Sequence, residues 1–84
     1  MNKGQYIRYH SLRSRRDALL ANPLPESDKN TLCCEATRCL LAALTAFDAE
    51  IALHDAEFIV HRVEQGREQI SAMVRDAVAV CAAA

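Results

Sequence analysis

Residues 48–61 read DAEIALHDAEFIVH, two seven-residue units placed back to back. Asp48 is matched by Asp55, Glu50 by Glu57 and His54 by His61. A seven-residue repeat spans nearly two α-helical turns, so matching residues return to the same side of a helix. On a wheel, Ala49/Ala56, Ala52/Ile59 and Leu53/Val60 form one broad apolar face. Ile51/Phe58 forms a separate ridge between the histidine and aspartate rows. A broad face plus a ridge describes a helix packed on two sides. The expected neighbours are a second copy of the same helix and a folded-back N-terminal helix.

The repeat continues as a seam with steps of three and four: Ala56, Ile59, Val63, Gly66, Ile70, Met73, Ala77, Val80. That is the a/d pattern of a coiled coil. Before it runs another seam, Leu40, Leu44, Phe47, Ile51, in a different phase. Joining the two requires steps of four through Asp55, which resembles a stutter.

The chain has 84 residues, with fifteen alanines, two glycines, two prolines and four aromatics. This favours all-α structure over sheet. A first helix is expected over 5–21, where Tyr6, Tyr9, Leu12, Leu19 and Leu20 share an arc. Asn22-Pro23-Leu24-Pro25 ends it, with Asn22 suited to a left-handed cap. After a turn at 22–27, with Ser27 or Asp28 capping, the pattern predicts one long helix over 28–82. Such a helix would be roughly 80 Å long and could not bury its apolar face within so small a monomer. A competing arrangement breaks the chain at Gln65-Gly66-Arg67. The expected architecture is a single small domain, a helical hairpin or bundle completed by homodimerisation through the coiled-coil seam.

Charge is distributed unevenly. Residues 1–16 carry Lys3, Arg8, Arg13, Arg15 and Arg16 and no acid, while 17–84 carry eleven acids and five bases. The basic segment either folds back on the acidic helix or serves an acidic partner. As an alternative function, YIRYHSLRSRR suggests a nucleic-acid-binding regulator, with Arg8, Arg15 and Arg16 on phosphates and tyrosines on bases.

Catalysis and cofactors find little footing. The sequence has no HExxH, GxSxG or glycine-rich phosphate loop, so no enzyme activity and no cofactor are expected. Cys33, Cys34, Cys39 and Cys81 lack paired C-x-x-C spacing and read as buried structural thiols in a reducing cytoplasm. His54 and His61 lie two turns apart, too far to share one metal ion, so no metal site is expected. Glu50–His54 and Glu57–His61 are i,i+4 pairs that would strengthen as the imidazoles protonate. No signal peptide and no membrane span are evident.

What remains is contact with a larger protein, as inhibitor, chaperone or adaptor, in the style of small bacterial or phage helical proteins. Leu44, Phe47, Ile51 and Phe58 are the expected partner-binding residues, with Arg13 and Arg16 as the polar part.

Overall fold

A computed structural model describes residues 1–83, with side chains described through Cys81. Helix α1 spans Lys3–Leu20. The stretches Glu26–Asn30, Thr31–Ala36 and Thr37–Thr45 join without leaving right-handed helical backbone, and together form α2. Helix α3 spans Glu50–Ala83.

Local chemistry sets the ends of α1. At its start the Asn2 side chain accepts from the Gln5 N–H at 2.8 Å, and Gln5 Oε1 accepts from the Asn2 N–H at 3.0 Å. This reciprocal box satisfies two backbone donors that the first turn leaves without partners. At its end the Asn22 amide donates to the Ala18 carbonyl at 2.9 Å. No described residue has positive φ, so the left-handed cap expected at Asn22 is not used. Its side chain bonds the last turn instead. Pro25 precedes α2, which begins at Glu26 without a side-chain cap, and Ser27 and Asp28 lie inside its first turn.

The unbroken helix expected over 28–82 is divided. Ala46 turns extended, with φ −76° and ψ 146°, and the chain reverses through 46–49. The Thr45 hydroxyl bonds back to the Leu41 and Ala42 carbonyls, and Asp48 Oδ1 accepts from the Glu50 N–H at 3.0 Å. These bonds close one helix and open the next without proline or glycine. No break occurs at Gly66, where α3 runs straight through.

The result is an up-down-up arrangement of three helices. Tyr9 and Leu12 pack with Leu40, Ala43, Ala49, Leu53 and Ala56, and Leu19 packs with Leu32, Ala36, Val60 and Val63. Contacts therefore advance together along α1 and α3, which run parallel, while α2 runs antiparallel between them. The broad face read from the repeat is this core. Leu53, Ala56 and Val60 have no exposed surface. The two neighbours of α3 within the chain are α1 and α2, and the second of these is a helix that the expected continuous helix did not provide for.

Within α2, Thr31–Ala36 adopts π-type hydrogen bonding. Thr37 Oγ1 donates to the Leu32 carbonyl at 3.0 Å and accepts from Arg16 Nη1 at 2.9 Å. A side chain from α1 thus steadies the point where α2 returns to α-helical pitch.

Helix α3 outruns the bundle. Its 34 residues make it about 51 Å long. The other two helices cover it only to about Arg67, and the molecule measures 59 × 24 × 18 Å.

Candidate interaction surface

Three surfaces on α3 follow from this geometry. The first faces α1 and is an ion-pair ladder. Arg8 Nη1 meets both oxygens of Glu50 at 2.9 Å, and Gln5 donates to the same carboxylate at 3.0 Å. Arg15 Nη1 meets Glu57 at 2.9 Å, while its Nε and Nη2 fork onto Glu64. The hydrogen bonds of Gln5 and Arg8 hold the Glu50 carboxyl below its usual value. The fork from Arg15 does the same to Glu64. The basic N-terminal segment thus lies along the acidic helix. Arg16 is engaged by Asp17 and Thr37, and Tyr9 is buried. Among the residues of the nucleic-acid reading, Arg8, Arg15 and Arg16 all have partners within the chain.

The second surface is the crease between α2 and α3. On one side it is lined by Asp28, Thr31 and Glu35, then Arg38, Cys39, Ala42 and Ala46. On the other stand Ile51, Ala52, Asp55, Ile59 and Arg62. Its lower half is mostly apolar and shallow. Sequence reasoning missed the α2 wall. The signal lay in Thr31, Glu35, Arg38, Ala42 and Ala46, whose spacing of three and four runs beside the buried line Leu32, Ala36, Leu40, Ala43. Ile51 at the edge of the crease and Phe58 beside it, seven residues apart, are exposed, with fully exposed Phe47 in the adjoining turn. Leu44 is exposed but projects from the opposite flank of α2 to Ala42. Arg13 is exposed on α1, and Arg16 is not free. Of the six residues expected to bind a partner, the fold gathers Phe47, Ile51 and Phe58 and separates Leu44, Arg13 and Arg16.

The third surface is the projecting end of α3. The expected dimer seam divides between the core and this end. Ala56 and Val63 are buried in the chain's own core, which removes them from any surface offered to a second copy. Ile59 and Gly66 are half-buried, and Ile70, Met73, Ala77 and Val80 are exposed. Val74 and Val78 are exposed as well.

The remaining candidate groups are scattered. His54 and His61 are exposed beside Glu57 and Phe58, but Glu50 and Glu57 are held by arginines of α1. His10 packs edge-on to Tyr6 and Tyr9, with ring centroids at 4.8 and 5.3 Å. The buried thiols expected from composition are not found: Cys33, Cys34 and Cys81 are exposed, and only Cys39 is partly covered. Burial, helped by the charge of Asp55, pushes the Cys39 thiol above its usual pKa. Among the described residues no three His, Cys, Asp or Glu side chains cluster as metal ligands do, and no helix is long and apolar enough to cross a membrane. Comparison with protein-family models, curated proteins and solved structures finds no match to this chain.

Proposed function

We propose that the chain is a non-catalytic protein–protein interaction module. It is a small dimeric helical inhibitor, chaperone or adaptor that binds a larger protein in the cytoplasm. The observation that carries this reading is the exposed apolar set Phe47, Ile51 and Phe58 beside the α2–α3 crease. Large apolar side chains grouped this way are the usual anchors of a protein interface. Phe47 in particular contributes nothing to the chain's own core, so its exposure has no internal explanation. The nucleic-acid reading has no comparable support, because its arginines are spent within the chain.

The test is affinity capture from the native host with tagged protein, followed by mass spectrometry. One stoichiometric protein, lost on Phe47→Ala with helicity unchanged, is expected. Undiminished capture by Phe47→Ala, or recovery only of nuclease-sensitive material, would sink the proposal.

A further inference from the structure

We infer that a second copy of this chain docks antiparallel along α3, crossing at Gly66, so that each projecting end lies in the other copy's α2–α3 crease. This deepens the reading of the chain as a self-associating module and rests on it.

The argument starts from one line of residues. Every seventh position from Ala52 to Val80 is Ala52, Ile59, Gly66, Met73, Val80. Seven residues fall short of two full turns by only about 20°, so this line runs nearly straight along α3. Its neighbour at the other seam positions sinks into the core at Ala56 and Val63, but this line stays at the surface. Its first half borders the crease, and its second half is the uncovered end. Gly66 stands at the midpoint.

A two-fold axis at Gly66 therefore places Ile59 opposite Met73 of the second copy and Ala52 opposite Val80. The apolar line that the chain leaves bare at its end meets the crease twice over: Val80 at the apolar half beside Ala52, and Met73 at Ile59, where Asp28, Glu35 and Arg62 form a polar border. The arrangement closes on itself, as a two-fold contact must. Gly66 suits the crossing point. Its backbone is ordinary helix, and a Cβ built there meets nothing within 4 Å in its own chain. No packing within the monomer asks for glycine, whereas two helices crossing closely do. The contact is small: at roughly 100 Å² each, the large apolar side chains on this face, Ile59, Ile70, Met73 and Val80, offer about 400 Å² per copy, the size of a reversible interface.

The docked end lies against Ala52 and Ile59, beside the ridge of Ile51 and Phe58 that a larger partner would use. Phe47 lies beyond the overlap and stays free.

Purified full-length protein tests this without any other partner. Sedimentation should give a dimer at micromolar concentration. In a variant keeping Cys81 as its only thiol, spin labels should report a separation of about 45 Å between the two copies, since fifteen residues lie on each side of the crossing. A parallel dimer would place them about 10 Å apart. Gly66→Leu should raise the dimer dissociation constant by tenfold or more, with helicity and monomer melting undiminished, since leucine favours the helix more than glycine does. A monomer at all concentrations, a short label separation, or full dimerisation of Gly66→Leu would each overturn the inference. These results do not depend on capture of a larger protein, and the Phe47→Ala capture result does not depend on them.

Discussion

Arg15 meets Glu57 across the α1–α3 boundary at the same 42-residue offset that brings Arg8 to Glu50. Equal offsets arise only when two helices run in the same direction and share a period. The repeat in DAEIALHDAEFIVH is therefore the acidic half of a parallel pair, with Arg8 and Arg15 as the basic half. Arg15 extends the pattern by holding Glu64 as well.

Arg15→Gln should lower stability modestly. Its side chain and that of Glu64 are each 31% exposed, and Glu57 is more so, which limits what the pairs contribute. The expected loss is about 1 kcal/mol. For a domain this small that is a fall of roughly 4–8 °C in Tm, readable by circular dichroism. No change in Tm would mean that the ladder orients α1 without stabilising it.

Acid should weaken the fold in a definite window. Glu64 and Glu50 titrate below their usual value near 4.5, because Arg15 holds the charged form of Glu64, and Gln5 with Arg8 that of Glu50. Groups lowered in the folded state contribute stability above the unfolded pKa and lose it as pH falls through the folded one. Melting temperature should hold from neutrality to about pH 4.5 and then drop. Glu64→Gln should be less stable at neutral pH and show a shallower acid drop. An unchanged acid profile in that variant would remove Glu64 as a contributor.

Leu53→Ala and Phe47→Ala should behave oppositely. Leu53 has no exposed surface and sits among Leu12, Leu40 and Ala56, so truncation should cost about 2–4 kcal/mol. That is a large share of the stability of an 84-residue chain, and its denaturation midpoint should collapse. Phe47→Ala should shift stability by less than about 0.5 kcal/mol. Equal losses from both would mean that Phe47 packs against the fold and is not free for a partner.

The four thiols should react unequally. Cys33, Cys34 and Cys81 are exposed, whereas Cys39 is partly covered and its thiol is pushed up by burial. Alkylation followed by mass spectrometry near pH 8 should modify Cys39 last, because the thiolate is the reacting form. Modification of Cys39 together with the others would contradict its placement against the α2–α3 core.

Much of the helical content was legible in the sequence, and so was the broad core face of α3, because Ala49, Leu53, Ala56 and Val60 recur with helical spacing. The turn at 46–49 was hidden because Ala46-Phe47-Asp48-Ala49 contains neither glycine nor proline. Its trace was the change of phase between Leu40–Leu44 and the later seam. A stutter and a reversal of direction produce the same mismatch in spacing, and only burial distinguishes them. The candidate partner residues could be named one by one from the sequence. Their grouping was not, since which flank of α2 meets α3 depends on the turn. The fork of Arg15 onto two acids was likewise unreadable, because it needs the direction of α1.

The parallel course of α1 and α3 also decides where an attachment can be tolerated. Gln5 bonds to Glu50, so the amino end of the chain emerges beside the turn that carries Phe47. A bulky fusion at Met1 would crowd that aromatic side chain and mimic the loss of recognition expected from deleting it. A reporter for recognition is better carried on the exposed loop at Asn22–Pro23, at the far end of the bundle.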